Sequence, residues 1–553
     1  MEWILLFGCL FVGILVIFIR GALYDRKQFK KFLLSLDEDY GVFSKREYTE
    51  DEMSNIAAYF YYKAQNEDSI DDITWNDLDM DRVFQKINTT MSSAGDEYLY
   101  AMLRNPLHDE TQLKSRDELI EFIQENPDVR KKLQIELHKL GRIRNKMSLT
   151  TCLLWLDELK RESNLFHYLL NAVLVITFAL IFISPAWGTL AFIVAMCVAI
   201  ITYYKRKSLI APYILSFSFV AQMLHFTDKL AAMKCDGMKT YAAALKEQKK
   251  GLETFQKNMY ALNVGTKTTE NPLELVMDYA RMIFHVDIIK FNSMLQVLQE
   301  KNDQIFEIKN LIGQIDSAIA VASYRKAVDF YCKPEFLQPK EGRTPMLKGI
   351  ELYHPLIEQP VTNTIDAKKG ALITGSNASG KSTFLKTVAI NAILAQTIDT
   401  VLAHSYQADL FYLYSSMALK DDLMSHESYY IVEIKSLKRI LDAEKEKGPI
   451  LCFVDEVLRG TNTVERIAAS SKILQSFAEN GVLCFAATHD IELSKILSRF
   501  YDNYHFEEEI KEDDIFFNYQ LQTGRAKTRN AIKLLGIIGY ESEIIDSAEI
   551  LAK

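Results

Sequence analysis

Gly375-Ser376-Asn377-Ala378-Ser379-Gly380-Lys381-Ser382-Thr383 follows an apolar run, Ala371-Leu372-Ile373-Thr374, and precedes Phe384-Leu385-Lys386-Thr387-Val388-Ala389-Ile390. The spacing is G-x-x-x-x-G-K-[ST], and the setting predicts a buried strand, a phosphate-binding loop and a helix. Glycines let backbone N–H groups turn inward around phosphate oxygens, and the helix N-terminus adds the positive end of its dipole. In that geometry Lys381 reaches the β- and γ-phosphates and the Ser382 hydroxyl ligates Mg²⁺. The expected ligand is a nucleoside triphosphate.

Two more apolar runs downstream end in reactive groups. Ile450-Leu451-Cys452-Phe453-Val454 leads into Asp455-Glu456, and Val482-Leu483-Cys484-Phe485-Ala486-Ala487 leads into Thr488-His489. Asp455 at a strand end beside the loop is expected to hold Mg²⁺ through water, and Glu456 to polarise the attacking water. His489 is expected to hydrogen-bond the γ-phosphate. The predicted catalytic set is therefore Glu456, His489 and Lys381, with Ser382 and Asp455 as the metal pair.

The 553-residue chain is long enough for several domains. Its net charge of -9 argues against a simple polyanion binder. The stretch from Lys205 to Thr269 nevertheless carries 11 basic residues against four acidic ones, Asp228, Asp236, Glu247 and Glu253. Seven scattered cysteines with no C-x-x-C pair suit a reducing compartment and no zinc site.

Charge-free runs mark a membrane. Trp3 to Ile19 is 17 residues long and is followed by Arg20, Arg26, Lys27, Lys30 and Lys31. Phe166 to Tyr204 is 39 residues long, divided by Ser184-Pro185-Ala186-Trp187-Gly188 and flanked by Lys160-Arg161 and Lys205-Arg206-Lys207. Three transmembrane helices follow, the second pair joined by that turn. The basic flanks place the bulk of the chain in the cytoplasm. Further on, Ile288, Phe291, Leu295, Leu298, Ile305, Ile308, Ile312, Ile315, Ile319 and Ala322 predict one amphipathic helix of roughly 50 Å. A partner helix is expected over Ala211 to Ala261.

The combination resembles the MutS family of ABC-type ATPases. Its G-P-N-M-x-G-K-S-T is similar to Gly375–Thr383, with Ser376 for Pro and Ala378 for Met. Its D-E-x-G-R-G-T-S-T is similar to Asp455-Glu456-Val457-Leu458-Arg459-Gly460-Thr461-Asn462-Thr463, and its A-T-H to Ala487-Thr488-His489. Its D-D-L-x-S-G-R-S-T-F is similar to Asp421-Asp422-Leu423-Met424-Ser425-His426-Glu427-Ser428-Tyr429-Tyr430. His354-Pro355-Leu356-Ile357-Glu358 also fits, as do Ser93-Ala94-Gly95 through Leu107 and the C-terminal stretch from Asn503 to Ala548.

The resemblance implies an α/β ABC-type P-loop ATPase domain joined to an all-α lever domain, here with three transmembrane helices. It implies ATP and Mg²⁺, and a homodimer in which Ser425 contacts the nucleotide of the partner copy. His426-Glu427 in place of Gly-Arg removes a positive charge from that contact. The expected division is an N-terminal anchor (1–20), linker helices (21–70), a core and lever part (71–160), a membrane hairpin (166–204), long lever helices (205–335) and the ATPase domain (340–553). The expected location is the bacterial inner membrane, multi-pass, with the ATPase domain in the cytoplasm.

Departures from the family bear on function. The stretch before Asp71 leaves no room for mismatch-reading and connector domains, and the Phe-x-Glu wedge is missing there. The region around Gly265 to Pro272 is too short for a full DNA clamp. These features predict a membrane-anchored ATPase whose DNA binding is weak, salt-sensitive and without mismatch preference. The alternative is an ATP-gated membrane scaffold that recruits a protein partner. A transporter is disfavoured by the absence of L-S-G-G-Q.

Overall fold

The computed structural model describes residues 20, 24, 26–143, 148–263, 279–338, 343–376, 379–417, 429–458, 462–511, 514–526 and 540–551. The expected first span, Trp3 to Ile19, lies outside them, as do Asn377, Ala378 and Ser425.

After a helical run over residues 26–38 come short helices: α1 (Glu50–Tyr59), α2 (Asp72–Asp77), α3 (Met80–Ile87), α4 (Ser93–Arg104), α5 (Glu110–Glu125), α6 (Pro127–Leu140) and α7 (Leu149–Glu158). Polar caps start several of them. The Asp71 carboxylate accepts from Thr74 N, Ser92 Oγ from Gly95 N, and Ser148 Oγ from Thr151 N, each satisfying a backbone donor the helix leaves open. Pro127 stands in the first turn of α6, where a missing N–H costs nothing.

The predicted hairpin is present. α8 (Leu165–Ile183) and α9 (Pro185–Ala232) are joined by Ser184 alone, and Pro185 to Gly188 already form the first turn of α9. A Cβ on Gly188 would lie 2.5 Å from the backbone of Leu180 and Ile181, so only glycine permits this approach. Phe182, Ile183, Trp187 and Ile201 lie exposed on the outside of the pair. Such faces need an apolar surrounding, and the two helices are long enough to cross a bilayer. They support association with a membrane.

Two expectations about the long helices are corrected. α9 does not stop at Lys205-Arg206-Lys207 but continues to Ala232, and Phe217, Val220, Leu224 and Phe226 of this extension are buried in the helical core. The expected partner over Ala211 to Ala261 is therefore the tail of α9 followed by α10 (Lys239–Gln248) and α11 (Glu253–Asn263). Second, the stripe from Ile288 to Ala322 forms two helices, α12 (Val286–Glu300) and α13 (Asn302–Ala327), parted at Lys301 with φ -118 and ψ 20. The apolar stripe skips from Leu298 to Ile305 across the polar run Lys301-Asn302-Asp303, so no core contact holds the helix continuous there.

The start of α12 is fastened to the hairpin. His285 Nδ1 lies 2.8 Å from His167 Nδ1, and its Nε2 lies 2.8 Å from Ala199 O. Tyr203 OH donates to Asp287 Oδ2 at 3.0 Å, and Asn171 Nδ2 to Phe284 O at 2.9 Å. α13 then packs along α4 and α5. Buried Asp316 accepts from Met91 N, Ser92 N and Ser92 Oγ, and buried Lys309 pairs with Glu97 at 2.9 Å.

The remaining chain is α/β. A four-stranded sheet has the order β1 (Glu335–Phe336), β5 (Ser405–Ala408), β2 (Leu347–Leu352), β3 (Asn363–Ala367). A six-stranded sheet has the order β10 (Asp514–Thr523), β9 (Tyr501–Lys511), β4 (Gly370–Thr374), β8 (Leu483–Thr488), β7 (Ile450–Asp455), β6 (Tyr412–Ser416). All its pairings are parallel except that of edge strand β10 with β9. Its central strands are apolar throughout because both faces are covered. The helices here are α14 (Lys381–Ile398), α15 (Tyr429–Glu444), α16 (Thr463–Glu479), α17 (Ile491–Ile496) and α18 (Ser542–Leu551). α14 is buried almost all round, between the sheet and α4 and α5 of the helical part.

Candidate functional site

Strand order brings the predicted residues together. β8 lies between β4 and β7, with Thr374 opposite Thr488 and Asp455 opposite Ala487. The loop after β4, the carboxylates after β7 and the histidine after β8 therefore meet at the carboxyl edge of one parallel sheet, where open α/β sheets form crevices. A cavity of about 530 Å³ opens there. Ser379 to Phe384, Asp455, Glu456 and His489 line it together with His354, Ile357, Val361, Asn363, Phe506 and Tyr519.

Gly380 caps α14 with φ 105, in the left-handed region, and a Cβ there would also press on the Tyr519 ring at 3.1 Å. Lys381 Nζ donates to Gly375 O at 3.0 Å and to Ser376 O at 2.6 Å, folding back over the loop. Ser376 Oγ donates to a carboxylate oxygen of Glu508 on β9. Ser379 is buried, and its Oγ has no hydrogen-bond partner among the described residues. That leaves a hydroxyl at the loop for a ligand oxygen. Thr383 lines the same wall.

Ser382 Oγ donates to Asp455 Oδ2 at 2.5 Å. This pair of hard oxygen donors fits Mg²⁺, which prefers one or two protein oxygens and fills its other positions with water and phosphate. Among the described residues no group of three or more His, Cys, Asp or Glu side chains forms an all-protein cage.

Glu456 and His489 also meet each other. His489 Nε2 stands 2.7 Å from Glu456 Oε1, so the imidazole orients the carboxylate directly. Glu456 has φ 57 and Leu458 φ 62, two left-handed non-glycine residues in one short turn. Backbone strain of this kind persists only where the surroundings over-determine it. Glu456 N donates to Ala487 O at 2.9 Å, and Ser470 Oγ to Val457 O at 3.1 Å. Nearby, Arg466 grips Asp490 through two hydrogen bonds of 2.9 and 2.6 Å.

Several lining residues carried no sequence signal. Tyr519 sits at a register shift in β10 with φ 54, and Asn363 fixes it by donating to Tyr519 O at 3.0 Å and accepting from Leu521 N at 2.7 Å. His354 belongs to the quoted His-Pro stretch but had no assigned role. Burial, followed by the charge of Lys386, pushes its imidazole down to about 4.

Residues 371–553 match the family model described as MutS domain V. The DNA mismatch repair protein MutS of Natronomonas pharaonis is 28% identical over 270 residues, 47% of this chain and 31% of that protein. MutS protein homolog 4 of Mus musculus is 27% identical over 310 residues, 53% of this chain and 31% of that protein. The DNA mismatch repair protein MutS of Thermus thermophilus is 26% identical over 271 residues, 47% of this chain and 32% of that protein. The matched part thus spans 31–32% of the length of these relatives. Together these likenesses support general MutS-family membership.

Proposed function

We propose that this protein is a membrane-anchored MutS-type ATPase in which ATP binding and hydrolysis drive dimer and lever motions. The observation that carries the reading is the convergence of Lys381, Ser382, Asp455, Glu456 and His489 on one cavity at the sheet edge. The likeness to MutS domain V, which includes all five residues, supports it.

On this reading Gly375 to Thr383 cradle the phosphates, and Lys381 exchanges its two loop carbonyls for β- and γ-phosphate oxygens. Ser382 and Asp455 would hold Mg²⁺, which would neutralise charge developing on the phosphates. Glu456, oriented by His489, takes the proton of the attacking water as its oxygen bonds to the γ-phosphorus and the bond to the ADP oxygen breaks. Val361, Ile357 and Tyr519 give the cavity the apolar and aromatic character a nucleobase needs. Ser425 would complete the site of a second copy.

Whether DNA is a ligand divides two forms of the proposal. The relatives' names concern DNA mismatch repair, and the basic residues from Lys205 onward suit nonspecific phosphate contact. The scaffold alternative is favoured by the unbroken α9, which joins the membrane hairpin to the helical core and so links ATPase motion to the bilayer. The test is ATP hydrolysis by the detergent-solubilised protein, wild type and Glu456→Gln, with homoduplex DNA, mismatched DNA or none. Stimulation by DNA in the wild type supports a DNA function. Activity lost in the variant but indifferent to DNA supports the scaffold. Absence of hydrolysis in the wild type rejects both.

A further inference from the structure

The turn that carries Glu456 is held by a residue that no motif singles out. Glu433 lies in the first turns of α15 and is only 4% exposed. A carboxylate is costly to bury unless its oxygens find donors. Here Oε1 accepts from Leu458 N at 2.5 Å. Leu458 is one of the two left-handed residues of the turn, two positions beyond Glu456.

Among the described residues, three hydrogen bonds to the backbone of this turn differ in what they hold. Ala487 O and Ser470 Oγ bind it through neutral hydrogen bonds, at Glu456 N and Val457 O. The Glu433 bond is the shortest of the three, at 2.5 Å, and it acts on the strained residue itself. Removing it would let Leu458 relax toward ordinary backbone angles and carry Glu456 with it.

α15 is fixed a second time along its length. Arg439 donates to Ser415 O at 2.7 Å, at the end of β6, and pairs with Asp71 at 3.0 Å. In sequence α15 directly follows the stretch that holds Ser425. One helix therefore ties β6 and Asp71 to the turn that carries Glu456.

We infer that Glu433 is a positioning residue: it holds the Glu456 turn in its strained form and makes hydrolysis depend on where α15 sits. The inference rests on the ATPase reading above.

The test uses the full-length protein in detergent with ATP as probe. Wild type is compared with Glu433→Ala, Glu433→Asp, Glu433→Gln and the benchmark Glu456→Gln. Measured are kcat, KM, equilibrium ATP binding and thermal midpoint, with kcat normalised to ATP-binding sites. Displacing a catalytic group by about 1 Å costs on the order of 10²-fold, so Glu433→Ala is expected to lose that much kcat with KM nearly unchanged. Glu433→Gln keeps an oxygen acceptor for Leu458 N and should recover most of the rate. Glu433→Asp, one methylene shorter, withdraws the acceptor at little cost to folding and should behave like Ala. Should Ala fail to fold, Asp against Gln decides the matter.

A Glu433→Asp enzyme with wild-type kcat, while Glu456→Gln is inactive, overturns the inference and leaves the ATPase reading standing. Loss of kcat and ATP binding together assigns Glu433 to folding and also overturns it. A wild type that neither binds nor hydrolyses ATP overturns both.

Discussion

The two ends of α14 are built in opposite ways. At its start, Gly380, Lys381 and Ser382 face an open cavity, and Lys381 donates to two carbonyls of its own loop. At its end almost every backbone acceptor is taken. Arg325 of α13 donates to Ile398 O at 3.1 Å, to Asp399 O at 2.9 Å and to Thr400 Oγ1 at 2.8 Å, and it pairs with Asp117 at 2.7 Å. Arg116 of α5 donates to Thr397 O. Gln396 O accepts from Leu107 N at 2.8 Å, and its side chain pairs with both backbone groups of Phe411. Cations at the end of a helix also meet the negative pole of its dipole. On the proposed lever reading, a movement at the open end would pass to the helical layer through these contacts.

The largest expected effect lies at the open end. Glu456→Gln should lower kcat by about 10²–10⁴-fold, the usual worth of a general base, while ATP still binds. Steady-state hydrolysis beside equilibrium ATP binding checks this, and unaltered turnover would remove Glu456 from the chemistry.

At the closed end Arg325→Ala leaves Asp117, among the described residues, with the half-exposed Lys333 and removes the donor to Ile398 O and Asp399 O. Breaking a buried pair in this way costs about 3–5 kcal/mol. The urea midpoint should fall accordingly. Lys333→Ala, which removes the partly exposed partner of the same Asp117, should cost under about 1 kcal/mol. Equal losses from the two variants would mean that the closed end is not anchored through Arg325.

A pH effect sharpens the contrast further. His354 lines the open end and is held neutral in the fold, its imidazole pushed down from 6.5 to about 4. A depressed folded value means that this contribution to stability is complete above pH 6.5 and is lost as the pH falls toward 4. Wild type should therefore lose more thermal stability across that window than His354→Gln. Parallel pH profiles would show that the imidazole is free to charge in the folded state. The smallest effect is expected from Glu508→Gln. It removes a negative charge beside the phosphate loop and should tighten ATP binding a few-fold, roughly what an exposed charge pair is worth. Titration calorimetry at low salt would detect it.

The elements that decide the site were readable because burial leaves a plain trace. β4, β7 and β8 are covered on both faces, so they appear as unbroken apolar runs, each ending in the group it presents. The hairpin was equally legible from its lack of charge. Lys205-Arg206-Lys207 misled because a basic cluster marks where lipid ends and not where a helix ends; α9 crosses it without a break. The interruption at Lys301 was hidden in a gap of the apolar stripe that a single continuous helix spans equally well. Glu433 and Tyr519 were out of reach for another reason. Left-handed backbone at Glu456, Leu458 and Tyr519 occurs without a glycine to announce it, and its supports come from residues distant in sequence.

At 1.5 Å per residue the 48 residues of α9 make a rod about 72 Å long. Its first half carries the apolar outer face and its second half is core. On the proposed membrane-anchored reading, one rod in both places sets the height of the α/β part above the bilayer. Copies of the protein would then meet by sliding in a plane, already sharing an up and a down, and not by tumbling through a volume. Two sites that need each other could pair at expression levels far too low for free proteins. Moving the protein from a bilayer into dilute detergent should accordingly weaken self-association more than any single interface substitution does.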